Sequence, residues 1–170
     1  MLKDIGDLLY SMGKDIKTFN LPDLLDNGDL KCLGQRELTE EISIAVDKED
    51  LELEATLNDE QRLAFDEILD HVLHNKSKVF FIDGPGGTGK TYLYKALLAK
   101  VRSLGLIAIA TATSGIAASL MPGGRTAHSR FKIPISIQED TMCNFSKQSG
   151  TAELLRRASL IIWDEVAMTK

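Results

Sequence analysis

The sequence predicts an α/β fold, a parallel sheet covered on both faces by helices. Three observations predict it. From residue 58 onward, apolar runs of strand length alternate with segments of helical periodicity. A glycine-rich stretch, GPGGTGKT, joins one such run to one such helix. Each strand candidate also ends in a polar cluster: Gly84 to Lys90, Thr111 to Ser114, and Asp164-Glu165. Ligands bind at the carboxyl ends of strands in open parallel sheets, so these clusters are expected at one edge.

Taken in order, residues 1–20 place Leu2, Ile5, Leu8, Leu9 and Met12 at the spacing of a short amphipathic helix. Residues 20–55 hold many acids and few apolar clusters, broken by Pro22, Gly28 and Gly34. They read as a linker or loosely packed extension, helical or poorly ordered. The expected division is an acidic extension over 1–55 and a compact domain over 56–170. Asn58 to Leu73 is a helix candidate, with Phe65, Ile68, Leu69, Val72 and Leu73 recurring at helical spacing. Lys78 to Asp83 is a short buried strand. Tyr92 to Ser103 is a helix with Leu93, Ala96, Leu97 and Val101 on one side, and Gly105 is its stop. Leu106 to Thr111 is a second strand, Ser114 to Leu120 a short helix of small residues, and 125–150 loop with brief structure. Ala152 to Ala158 is a short helix, and Leu160 to Trp163 a third strand.

Composition narrows the class. At 170 residues there is room for about one domain. No apolar run approaches the ~18 residues of a membrane span. The opening MLKDIGDLLY carries early acids and no long apolar core, so it is not a secretory signal. Cys32 and Cys143 are far apart and form no ligand pair, as expected for reduced thiols in an intracellular chain that is not secreted. The net charge of −5 is unevenly spread. Residues 1–75 hold 7 basic and 19 acidic residues, net −12, and residues 76–170 hold 13 and 6, net +7. The second half would attract a polyanion that the first half repels. A solvated basic face explains the same charge.

The motifs carry specific chemistry. Gly84-Pro85-Gly86-Gly87-Thr88-Gly89-Lys90-Thr91 fits the phosphate-binding loop pattern, with a strand before it and a helix after it. Glycines let successive N–H groups turn inward around phosphates, and the helix start adds its positive end. Lys90 can reach the β- and γ-phosphates, and the Thr91 hydroxyl can sit on Mg²⁺. In LIIWDE, Asp164 can hold the Mg²⁺ shell and Glu165 can orient and deprotonate an attacking water. Alone, such an ending is an ordinary strand end with solvated charges; with the phosphate loop upstream it suits a nucleotidase. Gln61 either completes a capping box with Asn58 or pairs its carboxamide with an adenine edge. Arg125-Thr126-Ala127-His128-Ser129-Arg130-Phe131-Lys132 mixes cations, hydroxyls and rings in the manner of a single-strand binder, or forms a polar surface loop. Thr111, Thr113 and Ser114 either donate to phosphates or cap the following helix.

Together, LNDEQ, DGPGGTGKT, TATSGIAAS, GGRTAHSRFKIP and LIIWDE resemble the Pif (petite integration frequency) DNA helicases of superfamily 1, closest to the Helitron-transposon branch. The opening LLYSMGKDIKTFNLPD resembles the segment ahead of the motor there. The resemblance implies a RecA-like phosphate-loop NTPase lobe of an ATP-driven motor. Such motors move 5′→3′ on single-stranded DNA and serve repair, recombination, telomere maintenance or rolling-circle transposition. It implies ATP and Mg²⁺ as cofactors, single-stranded DNA as partner, no membrane, and a nuclear or otherwise intracellular location. It gives Gln61 the adenine-reading role, Gly84 to Thr91 the first ATPase motif, and Asp164 and Glu165 the metal-holding and water-activating roles. It gives Thr111, Thr113, Ser114 and Gly115 the grip on the DNA backbone and sets Arg125, Thr126, His128, Ser129 and Arg130 beside the DNA path. Two departures stand out. Family members usually carry proline near the position of Ala167, and the chain stops at Lys170, before the family's later motifs and second RecA-like lobe. A first motor lobe is thus the expectation, and a non-enzymatic ATP-binding remnant of a transposon helicase is its rival.

Overall fold

The computed structural model describes residues 36–136 and 141–166. The expected helix over 1–20 lies outside them. Residues 34–170 form one unit.

The elements follow in chain order. Helix α1 covers residues 36–42. Then come α2 (Lys48–Glu52) with a 3₁₀ turn (Leu53–Thr56), α3 (Asp59–Leu73), α4 (Lys90–Ser103), β1 (Ile107–Ala112), α5 (Gly115–Ser119), β2 (Arg125–Thr126), α6 (Ala127–Phe131), α7 (Gly150–Arg157) and β3 (Ala158–Asp164). The three strands form one parallel sheet in the order β2-β1-β3. With helices packed on it, the fold is the α/β lobe that the alternation predicts.

Local chemistry explains the boundaries. α3 opens on a capping box: the Asn58 side chain accepts from the Gln61 N–H at 2.9 Å, and the Gln61 side chain accepts from the Asn58 N–H at 3.2 Å. α4 starts directly off the glycine-rich loop, with Gly89 at φ 81 as its N-cap. It ends where Gly105, at φ 74, turns back to let its N–H reach the Arg102 carbonyl. α4 is the central helix and buries Leu93, Ala96, Leu97, Leu98 and Val101. These meet Phe65 and Ile68 of α3, the alanines of β1, and Ile162 of β3. β1 is enclosed from Ala108 to Ala112, as a central parallel strand must be, and its small side chains let the flanking helices close on it.

One expectation changes. Lys78 to Asp83 is not a strand. Phe80 and Ile82 pack against the core, while Val79 and Phe81 are largely exposed. That alternation is strand-like, but a cleft of about 860 Å³ separates the segment from β3, so no ladder hydrogen bonds form. Residues 36–56, ahead of the expected domain start, are described as well. Residues 36–56 are tied to the lobe by ion pairs from Glu40 and Glu41 of α1 and from Glu54 of the 3₁₀ turn. The acids that suggested a loose extension are the groups that dock it.

Candidate functional site

The phosphate loop stands free of the core, with residues 85–88 exposed. Gly87 and Gly89 both have positive φ, 87° and 81°, a backbone shape that disfavours any side chain. The Thr88 hydroxyl donates to the Pro85 carbonyl at 3.0 Å and tightens the turn. The Lys90 ammonium folds back onto the loop, donating to the Gly84 carbonyl and, at 3.0 Å, to the Pro85 carbonyl. It therefore sits at the centre of the loop's curve, where a phosphate charge would be met.

The acids lie across the cleft. Register pairs Ala112 with Asp164, which brings Asp164 beside the end of β1. Glu165 follows at φ 57, in the left-handed region that a non-glycine residue rarely adopts. Three bonds hold that turn. The Glu165 N–H donates to Asp164 Oδ1 at 3.0 Å, the Thr113 hydroxyl donates to the Glu165 carbonyl at 2.8 Å, and the Thr113 N–H donates to the Asp164 carbonyl at 3.1 Å. Backbone strain of this kind clusters at functional sites. Lys90, Asp164 and Glu165 line the same cleft, together with Tyr94 of α4. Burial pushes the Tyr94 phenol up from its ordinary pKa, and the Asp164 carboxylate adds to the shift. Motif reading missed Tyr94 and the Thr113 brace; in the sequence they are one more core-facing helix residue and a threonine in a motif already given another role.

The donor set can be tested for a metal. Thr91 and Asp164 offer a hydroxyl and a carboxylate, hard oxygens of the kind Mg²⁺ takes when phosphates complete its shell. Among the described residues no three carboxylate, histidine or cysteine groups cluster to hold a metal unaided. The oxygen chemistry of Thr91 and Asp164 suits a phosphate-bound Mg²⁺, and Asp164 lines the cleft with Lys90.

Gln61 serves the cap and touches the loop as well. Its carboxamide oxygen completes the capping box, and its Nε2 donates to the Thr88 carbonyl at 3.2 Å. The helix start is thereby fixed against the phosphate loop.

The residues expected beside DNA divide into two groups. Thr113, Ser114, Gly115, Arg125, Thr126, His128 and Ser129 keep some exposure along one edge. Ser114 and Thr126 also cap α5 and α6, accepting from the Ala117 and Ser129 N–H groups. Thr111 and Arg130, also expected beside DNA, are buried. The Thr111 hydroxyl donates to the Ile162 carbonyl at 2.7 Å inside the sheet. Arg130 forms an ion pair with Glu41 at 2.8 Å, and Glu41 also binds Arg102 at 3.2 Å. Burial lowers the pKa of both arginines and the Glu41 carboxylate partly offsets it. Their Nε atoms are buried without a hydrogen-bond partner. Arg125 forms an ion pair with Glu40 and Lys132 with Glu37. Sequence reading missed these partners because they lie more than 80 residues upstream of the cations.

A phosphate loop at the start of α4, two acids at the end of β3 and a parallel sheet beneath them define an NTPase lobe. The family model for PIF1-like helicases matches residues 56–170, and the chain belongs to that family. It is 39% identical over 88 residues to the ATP-dependent DNA helicase PIF3 of Trypanosoma brucei brucei (strain 927/4 GUTat10.1), covering 52% of this chain and 10% of the relative. It is 32% identical over 116 residues to the ATP-dependent DNA helicase PIF4 of the same organism, covering 66% of this chain and 13% of the relative. The chain thus matches only about a tenth of the length of these relatives. Among the described residues no helix is long and apolar enough to cross a membrane.

Proposed function

We propose that this chain is the first motor lobe of an ATP-dependent 5′→3′ DNA helicase. The observation that carries the reading is the meeting of Lys90, Asp164 and Glu165 on one cleft under a loop with two left-handed glycines. In this reading the Gly84 to Thr91 N–H groups hold the phosphates and Lys90 neutralises the β- and γ-phosphoryl oxygens. Thr91 and Asp164 would hold Mg²⁺, which supplies further charge neutralisation when bound. Glu165 orients the attacking water and takes its proton, and its braced backbone turn fixes the carboxylate's direction. Gln61, against Thr88, reads the adenine edge. Thr113, Ser114, Gly115, Arg125, Thr126, His128 and Ser129 lie along a single strand of DNA.

Calorimetry tests the nucleotide reading. The chain should bind Mg·ATP, and Lys90→Ala should weaken binding by at least tenfold; equal affinities would sink it. Turnover by this chain alone should be slow. Among the described residues no arginine lines the cleft that holds Lys90 and Glu165. Arginines that reach the transferring phosphoryl group are worth about 10³–10⁵ in rate. Polarity is read on a motor that includes this lobe: duplexes with a 5′ tail should unwind and those with a 3′ tail should not.

A further inference from the structure

The cations of the Arg125 to Lys132 stretch already have anionic partners within the chain, and these come from one helix. α1 runs Arg36-Glu37-Leu38-Thr39-Glu40-Glu41-Ile42. Its three carboxylates meet three successive cations. Glu37 forms an ion pair with Lys132 at 3.7 Å, Glu40 with Arg125 at 3.0 Å, and Glu41 with Arg130 at 2.8 Å. Glu37 also accepts from the Thr151 hydroxyl at 2.7 Å.

The pairs differ in burial, and the difference sets their behaviour. Glu41, Arg130 and Arg102 are 3–6% exposed, so this centre is a fixed anchor. Arg125 and Lys132 are 41% and 42% exposed, in water, where such pairs are weak and exchange readily. Glu40 also keeps a second cation, Arg36 at 2.8 Å, so releasing Arg125 does not strand its carboxylate.

We propose that α1 is a built-in mimic of a nucleic-acid backbone: Glu37 and Glu40 occupy Lys132 and Arg125, and a single strand gains these two cations only by displacing the carboxylates. The inference rests on the reading of this edge as a single-strand path and adds its regulation. Glu41 holds the helix in place throughout, so exchange takes place at the rim and needs no undocking. Carboxylates and phosphodiesters offer the same partner to a guanidinium, two acceptor oxygens with negative charge. Their spacing on a helix face, at i, i+3 and i+4, matches the spread of the cations.

The test is anisotropy of a labelled oligothymidylate with the full 170-residue chain across a salt series. Three proteins are compared: wild type, Glu37→Gln/Glu40→Gln, and the charge-matched control Glu49→Gln/Glu52→Gln on α2. The first variant should bind about 2- to 30-fold tighter at low salt, the range that two exposed ion pairs are worth. The gain should shrink as salt rises, because screening weakens the exposed carboxylate–cation pairs that the strand must break in wild type. Adding Arg125→Ala to that variant should remove at least half of the gain. The control should gain less than half as much. If wild type binds and the α1 variant binds no tighter, or the control gains equally, the mimic is overturned and the strand path survives. If neither wild type nor the α1 variant binds, the strand path and the mimic both fall. Should the double variant fold poorly, Glu40→Gln alone, with its unfolding midpoint measured, separates the same outcomes.

Discussion

Removing the Glu41 carboxylate breaks a buried charge cluster from its anionic side. Its side chain is 3% exposed and touches two guanidiniums that are 6% and 4% exposed. Glu41→Ala would leave two desolvated, mutually repelling cations with only the more distant charges of Asp50 and Glu37 to offset them. Breaking a buried pair from one side costs about 3–5 kcal/mol. Backbone carbonyls soften the loss: Arg102 also donates to Pro122 and Ala108, and Arg130 to Gly123. The lower end, about 3 kcal/mol, is therefore expected. At about 2–4 °C per kcal/mol for a chain of this size, the midpoint should fall by about 6–12 °C. Urea unfolding is the direct assay, with a lower midpoint at unchanged slope. Glu41→Gln keeps an acceptor without the charge and should fall between wild type and alanine. A loss under about 1 kcal/mol for Glu41→Ala would refute the claim that this buried centre holds α1 to the lobe.

Other changes have distinct signatures. Gln61→Ala should lower stability by about 0.5–1.5 kcal/mol through the lost bond from the Asn58 N–H to its side chain, and it should also reduce the preference for ATP over GTP; a fall in melting temperature with unchanged preference would leave Gln61 as a cap alone. Gly124→Ala would drive a methyl group into the Ala118 carbonyl oxygen, a backbone atom that cannot swing aside. It should cost at least about 1–3 kcal/mol by urea unfolding, and a neutral result would show that this turn is loose. The carboxyls of Glu40, Glu67 and Asp70 lie below their ordinary pKa values through hydrogen bonds to Arg36 and Arg125, to Lys78, and to Lys76. Groups with depressed folded-state pKa values add stability that is present above their unfolded values and lost as pH falls, so the melting temperature should hold from pH 7 to ~5 and drop below ~4. A melting temperature that stays flat to pH 3 would contradict these pairs.

Local signals carried most of the fold into the sequence. The capping residues Asn58 and Gln61, the stop at Gly105 and the apolar stripe of α4 each act within a few residues, so α3 and α4 were legible almost to their ends. β1 and β3 were legible because buried parallel strands are short continuous apolar runs. Lys78 to Asp83 shows the limit: its composition encodes an extended shape, but strand identity needs a neighbour, and its sequence cannot say that a cleft lies where one would be. β2 was missed because two residues carry no period. At the site, the glycines, Lys90, Asp164 and Glu165 were readable because their chemistry fixes their spacing. The burial of Thr111 and Arg130 was not, since it depends on partners at Ile162 and Glu41, far away in the chain.

Lys90 has a second consequence. By donating to the Gly84 and Pro85 carbonyls it acts as a tether across the glycine-rich loop. Without that tether, residues 85–88 would sample many more backbone states, and fixing each residue again costs about 1–2 kcal/mol. Lys90→Ala therefore removes an attraction and also raises the ordering entropy that any phosphate ligand must overcome. Lys90→Arg, which restores the charge but not the short reach of an ammonium, separates the two effects. Electrostatic attraction should survive in that variant, while calorimetry should record a less favourable binding entropy than in wild type.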